Sequence, residues 1–398
     1  MAAEKGIRER NRLAMQPRER VLLTLAHQEP DRVPIGIGSS GSAIHDQVYF
    51  ALKKRLSIEG DIEPFRRGHG DNYYDDRIFD VLGTDIRHVF LNFYHSDHFV
   101  RKELGAGGLY DPFIDAWGLT NVTSKEGMHA FLGQPLEGAT CASDIDNYAW
   151  PDPYGDVGLL EGVQERAKYL SSETNYAISS RSITGIFEYC WLLRGMDNFL
   201  VDMVADPHFA IRLVNRVTDT LIKYYDVLLS AVGPYVDIVE TQDDYGMQQN
   251  SFFSPELFRK ILKPARKRLN DFIHEKAPQA RIYLHTCGSV RNLIPDLIET
   301  GVDILNPVQP LAAGMETSGL KADFGDQLTF YGAIDVQQAL PGSPEDVDQE
   351  VRKRIHDLAP GGGYILAPAN LIQRDVPLDN LLLLVKLARE YGRYPISV

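Results

Sequence analysis

Arg281-Ile282-Tyr283-Leu284-His285-Thr286-Cys287-Gly288-Ser289 reads as a β-strand running into a turn. Tyr283, His285 and Cys287 alternate with Ile282, Leu284 and Thr286, and a strand sends alternate side chains to opposite faces. His285 and Cys287 therefore share a face, one pleat apart, close enough to grip one ion. Gly288 breaks the strand. Ser289 is a good N-cap for the apolar pattern Val290, Leu293, Ile294, Leu297 and Ile298, so a helix is predicted to start there. The positive end of that helix would favour Cys287 as a thiolate. Standing alone, the pair reads equally well as a small core cysteine beside a satisfied histidine, because cysteine is among the most buried residue types. The surrounding chain decides between the two.

Strand-like apolar runs recur on both sides of this stretch. Upstream they occupy residues 33–38, 86–92, 176–180 and 236–242; downstream, 302–308, 328–334 and 363–368. Helical periodicity fills most of the gaps, at 17–27, 43–55, 74–82, 157–170, 187–204, 207–229, 254–276, 290–300, 344–358 and 378–391. Asp206 before Pro207 is a cap followed by a proline at the first helical position. The helical signal between the sixth and seventh strands is weak. Residues 100–153 lack long periodic patterns and carry spaced aromatics, so they read as a small β-rich insertion or lid after the second strand. The order predicts an α/β chain folded as a single (β/α)8 TIM-type barrel over residues 1–398.

Polar residues fall at the same end of successive strands. Glu240, Gln242, Asp243 and Asp244 leave the fourth strand, and His285 and Cys287 leave the fifth. Asn306 and Gln309 leave the sixth, Asp335 leaves the seventh, and Asn370 follows the eighth. In this barrel the C-terminal face hosts the chemistry.

Composition bounds the function. With 41 Lys and Arg against 55 Asp and Glu, the net charge is -14, which argues against a nucleic-acid partner. Cys141, Cys190 and Cys287 are too few and too scattered for a disulfide framework and fit a reducing cytoplasm. Residues 1–20 are charged throughout, unlike a signal peptide. No apolar run approaches membrane-spanning length. Arg8, Arg10 and Arg12, interleaved with Glu9, read as a solvated arm that a second subunit of a homodimer could cover.

Imidazole and thiolate suit zinc, and a catalytic zinc takes three protein ligands and keeps one position open. His285 and Cys287 supply two ligands. Glu240, Asp243, Asp244, Asp335 and Tyr364 are the oxygen candidates for the third. Asp243 and Asp244 read as acid–base groups on the working face, or else as a capping turn before the helix opened by Ser254. His95, Asp97 and His98 read as surface residues. Asp206-Pro207-His208 has Ile211 where a corrinoid-carrier motif needs glycine, so the chain does not carry its own corrinoid. Gly361-Gly362-Gly363 offers either phosphate-binding backbone donors or a tight turn into the eighth strand.

The run from His285 to Ser289, with Leu293 to Ile298 and Gly301 to Gln309, resembles the uroporphyrinogen decarboxylase superfamily. So do Gly332-Ala333-Ile334-Asp335, Tyr364 to Pro368, and the stretch from Arg20-Val21 to Arg32-Val33-Pro34. The resemblance implies a (β/α)8 barrel. True decarboxylases carry an arginine-rich stretch after the first strand, where this chain has Gly36-Ile37-Gly38-Ser39-Ser40-Gly41-Ser42. The chain is more similar to the corrinoid-dependent methyltransferase branch. There the resemblance implies zinc at His285 and Cys287, with a later cysteine whose position Tyr364 occupies here. It also implies methyl transfer between a methylated corrinoid protein and a small acceptor, a thiol or a tetrahydrofolate-type pterin.

The reading that follows has His285, Cys287 and Glu240 as metal ligands, since Glu240 is already ionised and strand four neighbours strand five. Asp243 and Asp244 serve as catalytic groups, and Gln242, Asn306, Asp335, Tyr364 and Asn370 line the substrate pocket. The alternatives are a lyase or decarboxylase on a small carboxylate other than uroporphyrinogen, and a non-catalytic corrinoid-binding or scaffold barrel.

Overall fold

The structure is a computed structural model that describes residues 15–124 and 127–397. The arm of Arg8, Arg10 and Arg12 lies outside the described residues. Ile86–Val89 (β1) is followed by the strands of the insertion, Val100–Glu103 (β2), Phe113–Asp115 (β3), Thr120–Thr123 (β4) and His129–Leu132 (β5). Then come Ala177–Ser180 (β6), Ile238–Gln242 (β7), Arg281–His285 (β8), Ile304–Asn306 (β9), Thr329–Ile334 (β10) and Tyr364–Pro368 (β11). β1 and β6 to β11 form one parallel sheet in chain order, as helical crossovers between consecutive strands dictate.

Residues 33–37 bring the two edges of that sheet together. On one side Gly36 N–H donates to Leu366 O at 2.9 Å, and Leu366 N–H to Pro34 O at 2.9 Å. On the other, Asp85 N–H donates to Ile35 O at 2.8 Å. This predicted first strand makes few ladder bonds for a chemical reason. Pro34 has no N–H, and Ile35 N–H is spent on the Asp85 carboxylate at 2.8 Å.

Side-chain alternation sorts the barrel into an inside and an outside. Ile86, Ala177, Ile238, Tyr283, Ile304, Tyr331, Ile365 and Ala367 form a buried inner cluster with Val21 and Leu25. Val21 and Leu25 belong to the helix Pro17–Leu25, which packs across β1, β6 and β11 and floors the barrel. Outward residues such as Leu284, Leu305, Phe330 and Leu366 meet the helices, including Leu213, Val217 and Leu221 of the long helix Pro207–Val232. Register stacks the inward residues in layers: Glu240 pairs with Tyr283 and Ile304, and one layer higher Gln242 pairs with His285 and Asn306.

Several helical stretches differ from the periodicity, among them 157–170, where the α-helix is Val163–Glu173. The run 187–204 breaks into Ile186–Arg194 and Met196–Ala205 at Gly195, whose φ of 92° no helix tolerates. The run 254–276 breaks into Pro255–Ile261 and Lys263–Lys276, where Pro264 lacks the N–H that would continue the ladder. Between β9 and β10, where the signal is weak, Thr317–Phe324 is helical. The glycine run forms the tight turn rather than an anion nest. Gly361, Gly362 and Gly363 already donate to Glu29 Oε1, Ala359 O and Thr24 O.

In the insertion β2 to β5 pair antiparallel in order. Trp117 fastens this sheet to the barrel by stacking on Tyr189 at 3.7 Å between ring centroids. Asp115 ties its own turn, accepting from the N–H groups of Trp117 and Leu119 and from Asn121 Nδ2.

Asp85 holds the first strand, accepting from Ile35 N–H, from Arg20 at 2.6 Å and from Arg32 at 2.8 Å while almost wholly buried. Asp85→Ala would leave the buried Arg20 with a single charged partner, Asp31, beside its bond to Met15 O. The expected loss is about 3–5 kcal/mol, read as a lower denaturant midpoint at unchanged slope. A loss below about 1 kcal/mol would place the closure of the ring elsewhere.

Candidate metal centre at the barrel mouth

Asn306 sets the chemistry of His285. Its Nδ2 donates to Tyr331 O at 2.9 Å, so its Oδ1 must face the imidazole. Oδ1 lies 2.6 Å from His285 Nδ1, which is therefore the protonated nitrogen. The lone pair then sits on Nε2, pointing away from Asn306. Cys287 Sγ lies 3.4 Å from Nε2, and Asp244 Oδ1 lies 3.6 Å from it. All three ligand-type atoms fall within 4.8 Å of one another. Ligands of a tetrahedral zinc, at bond lengths of 2.0–2.3 Å, stand roughly 3.4–3.6 Å apart, so the two distances to Nε2 match those of a zinc site.

The neighbours hold the set in place. Asp244 Oδ1 accepts the Cys287 N–H at 2.7 Å, and Gln309 Oε1 accepts the Gly288 N–H at 2.8 Å. Asn370 Nδ2 points at Sγ from 3.5 Å. Gly41 packs directly on the His285–Asn306 pair; a Cβ there would stand 2.1 Å from Asn306 Oδ1 and 2.3 Å from His285 Nδ1. Burial, and then the Asp244 charge, push the Cys287 thiol well above its ordinary range. It becomes a thiolate ligand only with a cation beside it. The predicted helix end does not supply that charge. Ser289 Oγ donates to Ala313 O rather than capping, a 3-10 turn spans Arg291–Leu293, and the α-helix begins only at Ile294.

The structure corrects several predicted roles. Glu240, expected as the third ligand, belongs to the layer below. Its oxygens take the Ser40 N–H and the Ser179 hydroxyl, both at 2.8 Å, and His88 Nε2 at 2.9 Å. Asp244 occupies the expected third position. Asp243, expected as an acid or base, is wholly buried, paired with Arg266 at 2.7 Å and bonded to Tyr245 and to the N–H groups of Phe187 and Glu188. Tyr364, expected to line the pocket, faces the helices and donates to Gly332 O at 3.1 Å. It stands in register with outward Phe330, and the inward residues of β11 are Ile365 and Ala367. Asp335, expected to bind substrate, caps a turn by accepting from the N–H groups of Gln337, Gln338 and Ala339. Asn306, expected in the same role, is instead the partner of the imidazole.

Gln242 lines a cavity of about 300 Å³ at the mouth, which reaches down to His285. Arg66, His69, Arg181, Glu188 and Tyr189 line it too, together with His129 and Phe131 of β5, and the His69 and His129 rings stack on each other. Sequence reasoning missed these residues. Arg181 directly follows β6, so the strand-end rule that found His285 could have found it. Arg66 and His129 sit in an irregular loop and in the insertion, where no periodic signal exists. Glu188 is part of a capping box, its carboxylate accepting Gly185 N–H at 3.3 Å. Burial, then the charges of Asp244 and Asp243, push its carboxyl well above the usual range. His95 lies between Glu63 and Glu161, apart from the cluster, and Asp206 caps its helix as expected.

Comparison with known proteins bears on the family and the fold. Residues 132–391 match the family described as Uroporphyrinogen decarboxylase (URO-D). The uroporphyrinogen decarboxylase of Mannheimia succiniciproducens is 24% identical over 309 residues, covering 74% of this chain and 80% of that protein. That of Actinobacillus succinogenes is 27% identical over 301 residues, with the same coverage of each. Among solved structures, a methyltransferase from Methanosarcina mazei superposes with a TM-score of 0.64 at 17% identity, covering 95% of this chain and 99% of that one. At that identity the likeness speaks for the fold.

Asp244→Ala is expected to weaken zinc binding by about tenfold or more in a competitive chelator titration. Tyr364→Phe should leave affinity unchanged, and Glu240→Gln should cost less than Asp244→Ala. Zinc retained in Asp244→Ala but lost in Glu240→Gln would return the third ligand to β7.

Proposed function

The chain belongs to the uroporphyrinogen decarboxylase (URO-D) family, and we propose that it is a methyltransferase moving a methyl group between a methylated corrinoid protein and a small acceptor. One observation carries the reading: His285 Nε2, Cys287 Sγ and Asp244 converge at a barrel mouth with the imidazole tautomer already set by Asn306. Zinc is the ion this donor set would hold. Bound there, it would supply Lewis acidity that lowers the pKa of an acceptor, a thiol or a tetrahydrofolate-type pterin.

The chain's own residues prepare the place. Asn306 takes the Nδ1 side of the His285 ring and so turns Nε2 toward Cys287, and Asn370 offers an N–H to the sulfur. Tyr189, Phe131 and the insertion above them wall the cavity, thinning water around the acceptor. Burial, then the charges of Asp244 and Asp243, raise the Glu188 carboxyl, which disfavours a further negative charge beside a site that must hold an anionic acceptor. The partner's corrinoid would supply the methyl group, the electron pair of the methyl–cobalt bond staying with the metal. The acceptor's lone pair forms the new bond to the methyl carbon, and the acceptor proton leaves to solvent. The corrinoid arrives on a separate partner protein. No helix among the described residues is long and apolar enough to cross a membrane, and a reducing cytoplasm suits a free thiol ligand.

The names of the relatives support a lyase acting on a carboxylate as the second reading. It has less to stand on in this site, because the expected acid–base group Asp243 is tied to Arg266.

Mixing the zinc-loaded protein with a methylated corrinoid carrier and a small thiol or tetrahydrofolate should bleach the methyl–cobalt absorption. Cys287→Ala should slow this by about a hundredfold or more, the scale of losing a group that stabilises charge in the transition state. No demethylation with either acceptor, together with steady conversion of uroporphyrinogen to coproporphyrinogen, would overturn the reading.

A further inference from the structure

One wholly buried carboxylate has no part in the proposed transfer. Glu240 lies one layer below His285, paired in register with Tyr283. A buried charge is costly unless donors surround it. Here they come from three other parts of the barrel. Ser40 N–H, in the turn after the first strand, donates to Oε2, and the Ser179 hydroxyl of β6 donates to Oε1, both at 2.8 Å. His88 Nε2, of β1, stands 2.9 Å from Oε1.

The bond to Ser40 reaches the metal centre through one residue. The turn closes with Ser42 N–H on Ser39 O and Gly38 N–H on Ser42 O, both at 3.0 Å. Ser42 Oγ fastens its far side to Pro368 O at 2.9 Å. Between these points Glu240 holds Ser40, and the next residue, Gly41, packs on the His285–Asn306 pair. Ser40 also lines the cavity, where its Oγ accepts the Ser182 N–H at 2.8 Å. Both oxygens of Glu240 are spent on Ser40, Ser179 and His88, so its influence on the metal ligands passes through the turn.

We infer that Glu240 is a positioning residue, an acceptor that anchors Ser40 so that Gly41 holds the His285 imidazole in its metal-binding orientation. This rests on the reading of the mouth as a metal centre and adds a residue to it. A ligand would need the charge of Glu240, whereas an anchor needs only an oxygen facing Ser40 N–H. An amide at position 240 keeps that oxygen, with its NH2 turned to the Ser179 hydroxyl and the His88 ring, both of which can accept. An alkyl side chain of similar size cannot, and leaves the Ser40 N–H without its partner.

The test compares Glu240→Gln, Glu240→Leu and Gly41→Ala with the wild-type full chain. Zinc affinity is read by chelator competition. The His285 tautomer is read by NMR of the ring nitrogens in zinc-free protein, and stability by the denaturant midpoint. Glu240→Gln should keep the wild-type affinity and the Nδ1–H tautomer. Glu240→Leu should bind zinc about tenfold or more weakly, the scale of losing a group that orients a metal ligand, and its His285 should show both tautomers. Gly41 does not sit in the left-handed region, so Gly41→Ala adds only the clash and should lower affinity in the same way. Because both act through one turn, the double variant should lose less than the two single losses combined.

A lowered denaturant midpoint in Glu240→Leu, with affinity and tautomer unchanged, would make Glu240 merely structural and overturn the inference. Independent, additive losses in the double variant would overturn it too, as would a loss in Glu240→Gln as deep as in Asp244→Ala. Should Glu240→Leu fail to fold, Gly41→Ala still decides, since unchanged affinity and tautomer there would break the link. Absence of zinc binding in the wild-type chain would instead count against the metal centre, while the tautomer comparison would still test the anchor.

Discussion

The hydrogen bond from His285 Nδ1 to Asn306 Oδ1, 2.6 Å long, is the contact on which the mouth of this barrel depends. It exists because parallel pairing places residue 285 beside residue 306 in one inward layer. It has one polarity because Asn306 Nδ2 is committed to Tyr331 O, on the next strand. It is reachable only because Gly41 presents no side chain to it. Register, amide orientation and a bare backbone position therefore converge on one outcome, an imidazole with its Nε2 lone pair facing Cys287 and Asp244. Hydrogen bonds of this kind fix the orientation of metal-bound histidines and raise their basicity.

Carboxylates leaving one strand end meet three different fates, each set by a neighbour. Glu240 is inward but one layer too low. Burial works against its charge, but the His88 ring, the Ser40 N–H and Arg181 hold its carboxyl below the usual range. Asp243 is buried against Arg266, and removing either partner would leave an uncompensated charge. Asp244 alone turns into the mouth, where it is about a third exposed and meets the Cys287 N–H. The residue with the least structural work is the one available to an ion.

The barrel was legible because its strands are short apolar runs separated by strong helical periodicity. Clustering of polar residues at strand ends located the mouth, and the two-residue spacing of His285 and Cys287 placed them on one face. What the pattern could not carry was depth. Alternation says that Glu240, Gln242 and Asp244 share a face, but not which of them stands level with His285; the register does. Tyr364 shows the same limit in reverse: alternation puts it in phase with Leu366, and that shared face points outward. Arg66 and His129 come from irregular segments folded over the mouth, and only the tertiary fold brings them to the cavity.

X-ray absorption at the zinc edge of the purified protein tests the central claim most directly. The account predicts one sulfur scatterer at about 2.3 Å and nitrogen or oxygen scatterers at about 2.0–2.2 Å, with the sulfur shell absent in Cys287→Ser. A zinc bound without sulfur in the wild-type protein, or no zinc bound when it is offered, would contradict it.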